Sequence, residues 1–216
     1  MTRPFADRAD AGRRLAEALG AYAGRDDVIV LGLPRGGVPV AAEVARSLPA
    51  PLDVCVVRKL GVPGDEELAL GAIATGGVLV LNDRVVADLH LSDQAIADVA
   101  AAELAELRRR ELAYRGERPP VDVARRTVLL VDDGLATGAT MRAAVRAVRM
   151  RVPARVVVAV PVAAAETCAA LGPEVDDVVC ALRPFDFRSV GGWYEDFSPT
   201  TDDEVRRCVT SFVSSS

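Results

Sequence analysis

The fold class this chain predicts is α/β, a Rossmann-like parallel sheet flanked by helices on both faces. Three observations predict it. Short apolar runs at residues 28–33, 128–131, 155–160 and 177–182 have the length and β-branching of buried strands. Stretches with apolar residues at helical spacing lie between several of them, so strand and helix alternate along much of the chain. Two of the runs end in small-residue turns that lead straight into a helix, as happens at the carboxyl edge of a parallel sheet.

The elements follow in order. Ala11, Leu15, Ala18, Leu19 and Tyr22 recur at helical spacing, so residues 7–22 are read as an amphipathic helix. Strand 28–33 is broken by Pro34-Arg35-Gly36-Gly37, and a helix follows over 38–48. The next strand, 53–57, is expected to deliver Arg58 and Lys59 at its carboxyl end, facing the ligand crevice. Residues 60–67 read as a Gly/Pro-rich loop closing on Asp65, Glu66 and Glu67. Those acids hold waters of a magnesium ion, line a mobile flap or form a solvated turn, and the solvated turn is the expectation. Residues 68–74 and 78–81 flank Thr75-Gly76-Gly77 as a hairpin.

After a short helical stretch, Ser92 caps a long helix toward Tyr114, with Ile96, Ala100, Leu104 and Leu107 on one face. Glu106 with Arg110 and Glu111 with Arg115 stand at i,i+4, acid first, the favourable order on an exposed helix face. Residues 83–118 are read as an inserted helical flap or interface, His90 as packing or surface, and Arg108-Arg109-Arg110 as solvated helix. Strand 128–131, helix 140–150, strand 155–160, helix 163–171 and strand 177–182 complete the alternation. The tail changes character: Phe185, Phe187, Trp193, Tyr194 and Phe197 cluster beyond the last strand, either as a platform for a planar base or as an apolar cap or oligomer contact. Thr201 with Glu204 starts a terminal helix as a capping box, and 214–216 are expected to fray.

With 216 residues, half of them hydrophobic, the chain is long enough for one domain spanning 1–216. A net charge of -5 speaks against a general nucleic-acid binder, which carries a basic face. No apolar run approaches membrane-spanning length and the first residues lack a signal-peptide core, so the expectation is a soluble, cytoplasmic protein. Cys55, Cys168, Cys180 and Cys208 are widely spaced and read as free buried thiols without a metal or disulfide framework. Of the 26 basic residues Lys59 alone is lysine; this is either a coding bias toward arginine or a position that needs a compact ammonium.

The chemistry concentrates at residues 128–140. A buried strand ends in Asp132 and Asp133, and a loop of Gly134, Leu135, Ala136, Thr137, Gly138, Ala139 and Thr140 opens a helix. Backbone N–H groups, the two threonine hydroxyls and the positive end of the helix suit one phosphate, while the tandem acids suit neighbouring hydroxyls such as a ribose diol. The competing reading is a strand-to-helix turn whose acids cap the helix, which requires neither tandem acids nor two threonines. A Walker loop is excluded because no lysine is present, and no G-x-G-x-x-G follows the first strand. The Arg35-Gly36-Gly37 turn offers a second backbone anion cradle beside a guanidinium, or a simple glycine turn with a surface arginine.

An apolar run, two acids and a Thr/Gly-rich loop, in this order, resemble the ribose-phosphate signature of the type I phosphoribosyltransferases. Residues 33–39 resemble the pyrophosphate-binding turn of that family. Gly134 differs, since the family more often carries an aliphatic residue there. The resemblance implies a type I phosphoribosyltransferase fold with a helical insertion at 83–118 and a C-terminal hood over 183–216. It implies phosphoribosyl pyrophosphate (PRPP) with Mg2+ as substrate, and displacement of pyrophosphate by a nitrogen nucleophile of a small-molecule acceptor, with a nucleobase expected. It further implies Asp132 and Asp133 at the ribose hydroxyls and the metal, 134–140 at the 5′-phosphate, and Arg35, Gly36 and Gly37 at pyrophosphate. Lys59 with Arg58 would neutralise the leaving group, and Trp193 would stack on the base. Membrane and nucleic-acid partners are not expected, and a homodimer stays open. Where enzymes of 6-oxopurines carry an acid in the phosphate loop, Ala136 stands here, which leaves the acceptor unassigned. Two rivals remain: a non-catalytic PRPP- or nucleotide-binding regulator on the same fold, and a phosphate-ester hydrolase, disfavoured because Gly134 stands where its second acid belongs.

Overall fold

The branched apolar runs become strands, largely buried on both faces except for the half-buried edge strand at 177–182; the structure, a computed structural model, describes residues 4–63 and 65–212. In chain order the elements are α1 (Arg8–Ala18), β1 (Val28–Gly32), α2 (Gly37–Ser47), β2 (Leu52–Val54), β3 (Val57–Val62), β4 (Asp65–Ala74), β5 (Val78–Leu81), α3 (Asp83–Asp88), α4 (Asp93–Arg115), β6 (Thr127–Val131), α5 (Ala139–Arg149), β7 (Arg155–Val162), α6 (Ala165–Leu171), β8 (Asp177–Leu182) and α7 (Asp202–Ser211). The side chains of Asp65, Glu66 and Glu67 and the serines 214–216, given readings above, lie outside what is described.

A five-stranded parallel sheet runs in the order β2-β1-β6-β7-β8. Side chains alternate across it. Val28, Val30, Leu129, Val131, Val157 and Ala159 face one layer, where Leu15 and Leu19 of the N-terminal segment meet Val40 and Val44 of α2. Ile29, Leu31, Val128, Leu130, Val156 and Val158 face the other, against Met141, Val145 and Val148 of α5 and Leu171 of α6. This is the α/β architecture the alternation predicts.

One strand departs from expectation. The apolar run 53–57 splits: β2 ends at Val54, the Cys55 N–H donates to the Gly32 carbonyl at 3.0 Å, and the chain then leaves the parallel sheet. Buried Thr75 receives it, its Oγ1 accepting from the Val56 N–H at 2.8 Å and its own N–H donating to the Val56 carbonyl at 2.9 Å. Arg58 and Lys59 therefore stand on β3, in a separate antiparallel sheet ordered β3-β4-β5, paired with Ile73 and Ala72. The expected loop at 60–67 is largely the continuation of β3 and the start of β4. Apolar content could not distinguish one long strand from two short ones, because both halves are buried.

The first helix is also shorter than its periodicity suggests. α1 ends at Ala18, and Tyr22 lies in a 3₁₀ turn over Gly20–Tyr22, where its hydroxyl donates to Asp177 Oδ2 at 3.0 Å. α4 starts where expected, with Ser92 Oγ accepting from the Ala95 N–H at 3.2 Å. Ile96, Leu107 and Tyr114 of α4 join Leu60, Leu70 and Ile73 of the hairpin sheet and Val205 and Val209 of α7 in a third core. The Glu111–Arg115 pair is not on an exposed face: Arg115 is buried and reaches Asp53 of β2. His90 is exposed in the turn between α3 and α4. Thr201 and Glu204 form the predicted capping box of α7. All four cysteines are free thiols, but only Cys55 and Cys168 are buried; Cys180 and Cys208, on the edge strand β8 and on α7, are half-buried. Among the described residues no helix is long and apolar enough to cross a membrane.

Candidate functional site

Parallel pairing decides the site. β1 and β6 are neighbours, with Val28 opposite Thr127 and Gly32 opposite Val131, so the turns that leave their carboxyl ends emerge side by side. The Leu33 N–H donates to the Val131 carbonyl at 2.8 Å, extending the pairing, and the Gly37 N–H closes back on the Leu33 carbonyl at 3.0 Å. The Pro34–Arg35 peptide is cis. A Cβ on Gly36 would lie 1.9 Å from Asp133 Oδ2, and one on Gly37 would lie 2.7 Å from both Asp132 Cα and the Val131 carbonyl oxygen. Only glycine permits this approach. The Arg35-Gly36-Gly37 turn and the diacid loop, read separately in the sequence, are thus in direct contact, and the N-termini of α2 and α5 open onto the same sheet edge.

The loop 134–140 is held from behind. The Leu135 N–H donates to the Val162 carbonyl at 2.9 Å, and its side chain is buried. Thr167 Oγ1 donates to the Ala136 carbonyl at 2.6 Å. Gly138 caps α5 with φ at 76°, a left-handed backbone in which a Cβ would also lie 3.0 Å from Thr167 Cγ2. Ala136, Thr137, Ala139 and Thr140 are exposed. Gly134, the position that differs from the family pattern, has Val190 against it: a Cβ there would meet Val190 Cγ1 at 2.4 Å.

Asp132 Oδ1 accepts from the Asp133 N–H at 2.9 Å, and Asp133 Oδ2 accepts from Arg8 Nε at 2.9 Å. Neither bond uses Asp132 Oδ2 or Asp133 Oδ1. Burial and the neighbouring Asp133 carboxylate push the Asp132 carboxyl up to about 8. Burial also raises Asp133, against the pull of the Arg8 guanidinium. Two adjacent carboxyls in this setting titrate as a pair. Hydroxyl donors or a cation at Asp132 Oδ2 and Asp133 Oδ1 would favour the charged forms. Among the described residues no group of three or more His, Cys, Asp or Glu side chains is arranged to hold a metal.

The remaining predicted residues divide. Lys59 lines a cavity of about 300 Å³ between the hairpin sheet and α5, together with Thr140. Arg58 instead pairs with Glu103 of α4 at 2.6 Å. Arg35 is exposed, 3.8 Å from Asp202 Oδ1 of α7. Trp193 is half-buried among Phe5, Val162, Tyr194 and Val190, and its carbonyl accepts from the Phe5 N–H at 2.8 Å. Sequence reasoning missed Arg8 and the position of Tyr194, whose hydroxyl donates to the Asp133 carbonyl at 2.5 Å. Arg8 is 125 residues from its partner, and nothing local in an amphipathic helix marks one arginine among several.

Comparison with known proteins agrees with this geometry. A family model described as phosphoribosyl transferase domain matches residues 6–187. Two curated relatives from strains of Mycobacterium tuberculosis, provisionally named phosphoribosyl transferases, are each 50% identical over 93% of this chain, which spans 45% of their length. The crystal structure of TT1426 from Thermus thermophilus is 46% identical with a TM-score of 0.85, covering 98% of this chain and 99% of that one. A hypothetical protein from Neisseria gonorrhoeae solved with bound ppGpp shares the fold at 15% identity, with a TM-score of 0.51 and 98% of each chain covered. By its motifs, its fold and the extent of that match, the chain belongs to the phosphoribosyl transferase domain family.

Proposed function

We propose that this domain transfers the 5-phosphoribosyl group of PRPP to a nitrogen nucleophile and releases pyrophosphate. In that reaction a C1–N bond forms as the bond from C1 to the pyrophosphate oxygen breaks; the electron pair leaves with pyrophosphate, and the nitrogen gives up its proton. The observation that carries the reading is the contact of Gly36 and Gly37 with Asp133 and Asp132. A ligand with phosphates at two ends of a ribose needs two anion cradles flanking hydroxyl acceptors, and this contact supplies that order.

In this reading Asp132 Oδ2 and Asp133 Oδ1 accept from the ribose hydroxyls, the loop 134–140, in which Ala136, Thr137, Ala139 and Thr140 are exposed, holds the 5′-phosphate, and the Arg35-Gly36-Gly37 turn holds pyrophosphate. Fixing both ends of the sugar orients C1 for in-line displacement. Lys59, on the Thr140 side of α5, is assigned to charge on the phosphates. Arg58 is committed to Glu103, so we assign it to holding α4. These two carboxylates fit magnesium as it is usually held, by one or two carboxylates with substrate phosphates and water completing the shell. When bound, that ion would offset negative charge on the departing pyrophosphate.

A nucleobase is the acceptor class we favour. With Ala136 exposed and no acid in 134–140, the base proton must leave by another route than a loop carboxylate. The chain's acidic balance favours small molecules over nucleic acid, and we place the reaction in the cytoplasm.

Calorimetric titration with PRPP, with and without magnesium, followed by a pyrophosphate-release screen over nucleobases, tests the proposal. Magnesium-dependent binding with release for one base supports it and names the acceptor. Binding without release from any base moves the reading to a PRPP-binding regulator, and no binding overturns both.

A further inference from the structure

We infer that Arg8 is a positioning residue for the proposed transfer, holding Asp133 so that the diacid pair presents two fixed acceptor oxygens to the ribose. The inference rests on the PRPP reading and goes beyond it, since nothing in the phosphate, diacid or pyrophosphate motifs includes a residue of α1.

Four contacts converge on the guanidinium and its target. Arg8 Nε donates to Asp133 Oδ2 at 2.9 Å, and Arg8 Nη1 donates to the Ser198 carbonyl at 2.7 Å. The guanidinium lies 4.1 Å from the centre of the Phe197 ring. Asp133 Oδ2 is also the oxygen that sits against Gly36, where a Cβ would be 1.9 Å away. Asp133 Oδ2 is therefore trapped between the Gly36 turn and one arm of a guanidinium whose other arm is tied to Ser198. A carboxylate held at one oxygen by a directional donor has little freedom about its terminal torsion, which is otherwise broad.

The segment that carries Arg8 is itself anchored to residues 193–196. The Phe5 N–H donates to the Trp193 carbonyl, the Glu195 N–H to the Phe5 carbonyl at 2.8 Å, and the Asp196 N–H to the Ala6 carbonyl at 2.9 Å. The Phe5 and Tyr194 rings stack at 5.3 Å between centroids, and the Tyr194 hydroxyl grips the Asp133 carbonyl. The strap formed by residues 5–6 and 193–196 thus holds the side chain and the backbone of Asp133 at once. An N-terminal helix and a C-terminal tail, neither part of the motifs, set the geometry of the central acid.

The side-chain exposure of Arg8 is 12% and that of Asp133 is 16%, so the pair is shielded enough for its geometry to persist. A lysine there would keep the charge but could not bond Asp133 and Ser198 together as a planar fork does.

The test compares PRPP affinity by calorimetry in the parent chain and in Arg8→Ala, Arg8→Lys, Asp133→Asn and the Arg8→Ala/Asp133→Asn double variant, with Arg13→Ala as an exposed control on the same helix. Arg8→Ala is expected to weaken PRPP binding tenfold or more, Arg8→Lys to recover less than half of that on a logarithmic scale, and the double variant to bind no more weakly than the worse single one. Phe197→Leu, which leaves the carboxylate contact in place, provides a milder probe should Arg8→Ala not fold, with a two- to fivefold loss expected. Parent-like binding by Arg8→Ala, additive losses in the double variant, or, where Arg8→Ala does not fold, unchanged binding by Phe197→Leu, overturns the inference and leaves the transferase reading standing. Failure of the parent chain to bind PRPP overturns both.

Discussion

Arg115 Nε of α4 lies 3.2 Å from Asp53 Oδ1 of β2, with side-chain exposures of 3% and 9%. The same guanidinium reaches Glu111 Oε1 at 3.1 Å and donates to the Val54 carbonyl at 3.0 Å, while Asp53 accepts from the backbone N–H groups of Val54 and Val121. The network clamps α4 to the strand from which the chain departs for the hairpin sheet that carries Lys59.

Removing one member leaves a buried charge without its partner. Arg115→Leu is expected to destabilise the chain by about 3–5 kcal/mol, the range for breaking a buried ion pair by truncation. Urea unfolding of parent and variant measures this. A loss under about 1 kcal/mol would show that the clamp is dispensable.

Gly36→Ala places a methyl where Asp133 Oδ2 now sits. The carboxylate or the turn must move, at about 1–3 kcal/mol for an overpacked site. A modest fall in melting temperature together with loss of PRPP heat in calorimetry is expected. Undiminished titration would mean that the contact between the two turns does not matter for binding.

Gly134→Ala meets Val190 Cγ1 at 2.4 Å, and a valine has no long side chain to swing aside. We expect about 1–3 kcal/mol of destabilisation. Val190→Ala in the same chain should restore most of it, so a double-variant cycle by thermal denaturation checks the packing directly. If the second change adds to the loss, the explanation for this glycine fails.

The pH dependence of Asp132 has a definite sign. Its carboxyl is raised in the folded chain to about 8 by burial first and by Asp133 second, whereas an unfolded aspartate titrates near 4. The folded state therefore binds more protons between those values, and its stability is full below about pH 4 and lost as pH rises toward about 8. Asp132→Asn removes that loss. The ligand-free variant should melt higher than the parent at pH 8 by a few degrees, on the order of the ~2–4 °C that 1 kcal/mol moves a domain of this size, with little difference at pH 4. It should also bind PRPP more weakly. A variant that melts lower at pH 8 would reverse the argument.

How much was legible in advance follows from the range of each signal. The parallel sheet, the α4 cap at Ser92, the α7 capping box, the hairpin at Thr75-Gly76-Gly77 and the loop from Asp132 to Thr140 all rest on contacts within a few residues, or on a two- or 3.6-residue period. The split of the run at 53–57 was not legible, because Val54 and Val56 are equally apolar and Thr75, which turns the strand, lies 19 residues from Val56.

The amino-acid sequence by itself determined which segments are buried strands, where the two glycine-rich turns stand and where the tandem acids lie, since periodicity, glycine and tandem charge act locally. Tertiary structure alone decided that those turns touch through Gly36 and Asp133, that Lys59 and Arg58 part company, and that Arg8 and Tyr194 hold the central acid. The pairing of β1 with β6 joins residues about a hundred positions apart, and the strap between residues 5–6 and 193–196 joins residues still farther apart. Such contacts are selected by the packing of the whole core, and no window of sequence contains both partners.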